Sequence, residues 1–338
     1  MSDMIAIDIA TVWAFVIAFA VFMYIVMDGF DLGLGILYPF FPKKSDRNVI
    51  MNSVAPVWDG NETWLVLGGG GLFAAFPLAY AVLMPAIYTP IIAMLIGLIF
   101  RGVAFEFRWR TTRDRNLWDH AFIGGSLLAA FSQGIALGAI LQGVSVSGRL
   151  YSGGWWDWLT PFSILTGLAV VAGYGLLGAT WLIMKAEGRL RSRAYRLSRW
   201  LLLATLGGIV AVSFATPFLS IKYWQRWFEW PSILFTSPIP LAVAAITFFL
   251  LKGLANKQDY RPFFLSLGLF GLSYAGLGVS MYPYIVPQSI TIQQAAAPDN
   301  SLYFMLVGVA VLVPIILAYT AFSYWVFRGK VDAKSGYH

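Results

Sequence analysis

Met27-Asp28-Gly29-Phe30-Asp31-Leu32-Gly33-Leu34-Gly35 sets two carboxylic acids inside an otherwise apolar stretch that runs from about residue 10 to 37. A helix needs roughly 20 apolar residues to cross the ~30 Å hydrocarbon core of a bilayer, and this stretch exceeds that length. Asp28 and Asp31 stand three residues apart and therefore share a helix face, with Tyr24 one turn away. Gly29 and Gly33 form a GxxxG step that Gly35 extends, a small-residue surface on which a neighbouring helix can approach closely. An ionisable group in the bilayer is expensive unless it is paired, hydrated or neutralised, so both acids need partners. The stretch reads as a membrane-spanning helix whose polar face is turned into a bundle.

The rest of the chain agrees. Of its 338 residues 59% are hydrophobic and only 12% charged, and the mean hydropathy is +0.72. This composition excludes an ordinary water-soluble fold and excludes disorder, which needs low hydrophobicity and high charge. Apolar runs and breakers predict an all-α polytopic protein with nine spans, at about 10–37, 49–76, 78–105, 118–145, 160–185, 199–219, 238–254, 262–286 and 302–327. The spans divide as two groups of four plus a last helix. No polar linker interrupts them, so residues 1–338 are expected to form a single transmembrane domain. The first run has no basic leader or small-residue cleavage site and is expected to be a mature helix.

Charge then orients the chain. Of the 23 Lys and Arg residues, nineteen fall after spans 1, 3, 5 and 7 and at the C-terminus, in clusters such as Lys43, Lys44 and Arg47, or Arg189 through Arg199. Arg149, Lys222 and Arg226 lie on the opposite side, and Arg101 lies within a span. Basic loops stay cytoplasmic, which predicts a periplasmic N-terminus and a cytoplasmic C-terminus. The net charge of +7 is thus an orientation signal and implies no nucleic-acid partner. Trp155, Trp156 and Trp158, and Trp224, Trp227 and Trp230, read as interfacial aromatics on the opposite side. Cysteine is absent, and the two histidines are His120 and His338. Disulfides, iron–sulfur clusters and thiolate-held metals are excluded, and a self-contained bis-histidine haem would need the C-terminal His338. His120, beside Asp119, reads as a solvated interface residue. Gly68–Gly71 is no phosphate loop, since no GK[ST] follows.

The second span opens with Asn52-Ser53-Val54-Ala55-Pro56-Val57-Trp58-Asp59-Gly60-Asn61-Glu62-Thr63-Trp64, in which Asp59 and Glu62 repeat the three-residue spacing. Asp31 lies about 11 residues before Pro42 and Asp59 lies 11 after Asn48, on either side of the loop at about 38–48, so the hairpin should hold four carboxyls roughly 15 Å from the cytoplasmic surface. In the third span Arg101 is their natural counter-ion, with Glu106 just below. Three readings fit these residues: a salt-bridge network locking spans 1–3, a proton path from the cytoplasm, and a cation or transported-solute site.

The first two motifs resemble subunit II of cytochrome bd-type quinol oxidases. So do Phe100-Arg101-Gly102-Val103-Ala104-Phe105-Glu106, Leu141-Gln142-Gly143-Val144, Met281-Tyr282-Pro283-Tyr284-Ile285-Val286-Pro287 and Val313-Pro314-Ile315-Ile316-Leu317-Ala318-Tyr319-Thr320-Ala321, and the likeness covers essentially the whole chain. The compact outer loop after span 6 is similar to the cyanide-insensitive-type branch. The resemblance implies a multi-pass subunit of a complex in the bacterial inner (plasma) membrane that oxidises quinol, reduces dioxygen to water and builds a proton gradient. It implies that two b-type haems and one d-type haem are ligated by the partner, subunit I, leaving no catalytic centre in this chain. Small single-helix accessory subunits and a structural quinone on this chain are further implications. By motif, Trp58 and Asp59 match an element associated with proton delivery, and Asp31 and Arg101 match an acid–arginine pair. Asp28 and Glu106 fall within the same motifs, and Glu62 stands where the family also has an uncharged residue. The rival reading is a proton-coupled membrane transporter that uses the carboxyl cluster as its coupling site.

Overall fold

A computed structural model describes residues 8–111, 113 and 115–331; Lys334 and His338 lie outside the described residues. The chain folds as α1 (Ile9–Leu37), α2 (Lys44–Asn52), α3 (Trp58–Ala75), α4 (Pro77–Ala86), α5 (Tyr88–Arg110) and α6 (Arg115–Gln142). A small hairpin of β1 (Val146–Ser147) and β2 (Leu150–Tyr151) precedes α7 (Pro161–Lys185) and α8 (Gly188–Leu219). Then come α9 (Ile221–Phe228), α10 (Ser232–Thr236), α11 (Pro238–Ala255) and α12 (Arg261–Met281). A second hairpin, β3 (Tyr284–Val286) and β4 (Ile290–Thr291), leads through α13 (Ile292–Ala295) to α14 (Asp299–Val326).

Local sequence explains the helix starts. The Asp8 carboxylate accepts a hydrogen bond from the Thr11 amide at 2.6 Å, capping α1. Thr160 and Ser163 form a reciprocal capping box ahead of Pro161 in α7. Among the described residues eight helical stretches are long and apolar enough to cross a membrane: α1, α5, α6, α7, α8, α10 with α11, α12 and α14.

The expected span at 49–76 is not one continuous helix. It divides into α2, a turn at residues 53–57, and the 18-residue α3. Asp59, Asn61, Glu62 and four successive glycines leave α3 without a membrane-length apolar stretch of the kind the other eight have. It nonetheless runs antiparallel along α1: Asn61 meets Asp31, Gly68 faces Val21 and Gly71 faces Ile17. At 1.5 Å per residue α3 is about 27 Å long, close to the hydrocarbon thickness. Three other boundaries differ from expectation. The run at 78–105 is interrupted at Ile87 between α4 and α5. The run at 262–286 ends as helix at Met281, and β3 takes residues 284–286. Finally, α8 starts at Gly188, because the basic residues ahead of its apolar part are helical too.

The packing follows the four-four-one division. One group comprises α1, α3, α5 and α6, and the other α7, α8, α11 and α12; they join where α7 lies against α1 and α6. The last helix, α14, lies beside α1 and α3 with most of its surface exposed. It is tied at both ends. Trp13 Nε1 donates to the Leu302 carbonyl at 2.9 Å, and Lys185 Nζ donates to the Phe327 carbonyl. Of the expected interfacial tryptophans, Trp155, Trp156 and Trp230 are well exposed, whereas Trp227 turns inward to donate to Ser280 Oγ at 2.8 Å.

The glycine surface of α1 is where the two groups of four meet. A Cβ on Gly33 would collide with the Tyr174 carbonyl, and one on Gly178 would lie 2.6 Å from the Gly33 carbonyl carbon. Backbone meets backbone here, so no side-chain rotation relieves the clash. Gly33→Ala should therefore destabilise the protein by about 2 kcal/mol or more, seen as a lowered Tm in detergent. Gly124→Ala, where a Cβ meets nothing within 4 Å, should leave Tm unchanged.

Candidate functional site

Asp28 and Asp31 are fully buried on α1, and Arg101 is fully buried on α5. Arg101 Nη2 forms an ion pair with Asp28 Oδ1 and a second, at 2.9 Å, with Glu62 Oε1 on α3. Its guanidinium carbon sits 5.5 Å from the centre of the Trp58 ring, which stacks on Phe105 at 5.1 Å. One cation thus links three helices and rests on an aromatic shelf. The expected Asp31–Arg101 pair takes a different form: Arg101 pairs with Asp28 and Glu62, while Asp31 Oδ2 accepts from Asn61 Nδ2 at 2.8 Å. Tyr324 of α14 donates its hydroxyl to Asn61 Oδ1 at 2.9 Å, so all four helices reach the cluster.

The four carboxyls expected to converge do not all do so. Asp28, Asp31 and Glu62 gather around Arg101, whereas Asp59 is exposed. It lines an open cavity of about 460 Å³ together with Trp58, Asn61, Glu106, Tyr319 and Tyr324. Glu106 is also exposed, 3.7 Å from Arg110 one turn on. Asp59 and Glu62 share a helix but divide between the cavity and the buried cluster. Asn61 and Tyr324 connect the two regions.

Sequence reading missed these uncharged connectors. A search for intramembrane charge passes over Asn61, although it stands between Asp59 and Glu62, and passes over Gln133 in the middle of α6. Gln133 donates to the Tyr24 hydroxyl at 2.7 Å and accepts from the Tyr174 hydroxyl at 2.7 Å. Near the basic end of the bundle, Asp119 is buried and accepts from Arg108 at 2.6 Å, Arg47 at 2.9 Å and Tyr38 at 3.0 Å. This clamp fastens the 38–48 connection to α5 and α6. His120 beside it is exposed, its Nδ1 lying 2.5 Å from the Asn116 carbonyl oxygen.

Three carboxyls around one guanidinium exceed it in formal negative charge, which protons or water must offset in a low dielectric. Asp28 Oδ2, Asp31 Oδ1 and two of the guanidinium nitrogens have no hydrogen-bond partner among the described residues. The cluster therefore has capacity for further hydrogen bonds. No group of His, Cys, Asp and Glu among the described residues is arranged to hold a metal ion.

Residues 9–327 match the family described as "Cytochrome bd terminal oxidase subunit II". The chain belongs to that family. It is 31% identical to the "Probable cytochrome oxidase subunit 2" of Haemophilus influenzae, over 95% of both chains. It is also 31% identical to the "Cytochrome bd-I ubiquinol oxidase subunit 2" of Escherichia coli K12, over 95% of this chain and 94% of that one. The solved structure of bd oxidase from Geobacillus thermodenitrificans shares the fold, with a TM-score of 0.76, 17% identity, and coverage of 94% of this chain and 98% of that one. As a cytochrome bd subunit II the chain is part of a membrane oxidoreductase complex, multi-pass in the bacterial inner membrane. A cytochrome complex holds haem; the one histidine among the described residues, His120, is exposed near the start of α6.

Removing the shared cation should damage a cytochrome bd subunit II more than removing any single acid. Arg101→Leu strands Asp28 in an apolar bundle, with an expected loss of about 3–5 kcal/mol. Thermal unfolding of the purified complex should show this as a large fall in Tm. Partial recovery is expected in the Asp28→Asn, Arg101→Leu double variant. No recovery would show that the ion pair is not what the variant lost.

Proposed function

We propose that this chain is the subunit II of a terminal oxidase that oxidises quinol and reduces dioxygen to water. In this reading it scaffolds a haem-bearing subunit I in a heterodimeric core and supplies part of a cytoplasmic proton path. Two b-type haems and one d-type haem belong to subunit I, so this subunit contains no catalytic centre. Nineteen of the 23 Lys and Arg residues lie on the side assigned to the cytoplasm, which supports nine crossings of one membrane domain with the N-terminus periplasmic. Small single-helix subunits accompany the core in this reading. The compact outer loop supports the cyanide-insensitive-type branch. A structural quinone on this chain belongs to the same reading.

The observation that carries the proton reading is the contact between an open, acid-lined cavity and a buried set of carboxyls. Asp59 and Glu106 at the cavity wall take protons from water. Glu62, one turn from Asp59, is only 28% exposed and shares Arg101 Nη2 with Asp28. Two acids held on one nitrogen lie within a separation that one water molecule bridges. Asn61 has an amide and is a positioning residue: held by Tyr324, it fixes the orientation of Asp31. Trp58 covers Arg101 and limits water at its face. Proton uptake on this side, with quinol protons released on the other, builds a gradient without a pump.

In the purified complex, Asp59→Asn should slow quinol-driven oxygen consumption by about tenfold or more, with visible haem bands of normal intensity. Loss of the haem bands would make Asp59 structural, and unchanged turnover would remove it from the path. Tyr324→Phe releases Asn61 and should lower turnover less than Asp59→Asn does.

A further inference from the structure

A second cavity, of about 530 Å³, opens at the basic end of α8 and is lined by Arg191, Ser192, Tyr195, Arg196, Arg199 and Lys257. Two of these residues are already engaged. Arg191 is ion-paired with Asp259, which also binds Lys330 at 3.0 Å, and the buried Tyr195 donates to the Gln258 carbonyl at 3.0 Å. The side chains of Arg196, Arg199 and Lys257 are exposed and have no ion-pair or hydrogen-bond partner among the described residues. Lys257 also holds a left-handed backbone conformation (φ 52°), a position that helix ends usually give to glycine. A cation is thus kept at the cavity edge where the backbone favours a residue without a side chain.

The same face of α8 continues into the membrane without a break. Trp200, directly after Arg199, is 71% exposed, and the stripe runs on through Leu203, Gly207, Val210 and Phe214. These positions follow Arg196 and Arg199 at helical spacing. No charged residue interrupts residues 200–219. At Gly207 a Cβ would meet nothing within 4 Å, so the stripe is shallowest there. Two guanidiniums and an ammonium with no facing acid, then an interfacial tryptophan, then an apolar track of membrane depth, match a molecule with an anionic head and a hydrocarbon tail. A soluble anion would use only the first part. A zwitterionic headgroup would bring its own ammonium up to three cations. Guanidinium groups suit the phosphate because they pair with its oxygens two at a time.

We propose that this cavity binds an anionic glycerophospholipid, its phosphate between Arg196, Arg199 and Lys257 and an acyl chain along Trp200, Leu203 and Gly207. The site is separate from the acid–arginine cluster and requires only that α8 crosses the membrane.

The test is native mass spectrometry of the whole, delipidated oxidase complex titrated with phosphatidylglycerol or phosphatidylcholine. The parent complex should retain phosphatidylglycerol in preference to phosphatidylcholine, and millimolar inorganic phosphate should not displace it. R196Q/R199Q should weaken phosphatidylglycerol retention by about 25-fold, with the complex intact by mass. Gly207→Phe, which fills the acyl track and leaves the cations in place, should weaken it too. Equal retention of the two lipids, displacement by inorganic phosphate, or R196Q/R199Q binding like the parent would each overturn the proposal. Unchanged binding by Gly207→Phe would overturn the acyl placement.

Discussion

Arg101 is a cation with no access to solvent, held at the junction of three helices that have little else polar to offer one another. In water an arginine–carboxylate pair contributes little, but here the alternative to pairing is an uncompensated charge among apolar side chains. That asymmetry ties the arrangement of α1, α3 and α5 to one side chain. If α3 rotates about its axis Glu62 leaves the guanidinium; if α1 shifts along its axis Asp28 does. The aromatic shelf of Trp58 and Phe105 follows from the same constraint, since it closes the open face of the guanidinium.

A second constraint acts from the opposite side of α1. Its glycine face meets α7 backbone to backbone, so α1 is fixed in depth by packing as well as by charge. With both faces engaged, α1 becomes the axis on which the two groups of four assemble. The helix that carries the acids is therefore held on both sides. From α14, Tyr324 joins the cluster through Asn61, its ring packed edge-on against Phe30 and Trp181.

Much of the site is legible in the sequence. Asp28, Asp31, Glu62 and Arg101 stand out as charges in membrane-length apolar sequence, and the structure brings them to one place. Asn61, Gln133 and Tyr324 were not legible because uncharged polar residues are common enough in membrane helices to carry no signal alone. Asp119 was overlooked for a related reason. In the sequence it figures only as the neighbour of His120, and only the fold shows that Arg47 and Arg108 close over it.

Residue order was sufficient for the membrane class, the helical content and the approximate ends of most helices, because run length and hydrophobicity act locally. Its expectation of a ninth crossing at 49–76 rests on α3, which is not among the eight membrane-length apolar helices of the described residues. Which acid pairs with Arg101 was beyond it. Residues three apart lie about 60° apart around a helix axis, so Asp28 and Asp31, and likewise Asp59 and Glu62, share a face without sharing a direction. The rotation of α1 and α3 against their neighbours resolves that difference, sending Asp28 and Glu62 to Arg101, Asp31 to Asn61 and Asp59 to the open cavity. Helix rotation is set by packing summed over the whole bundle, and no local pattern encodes it.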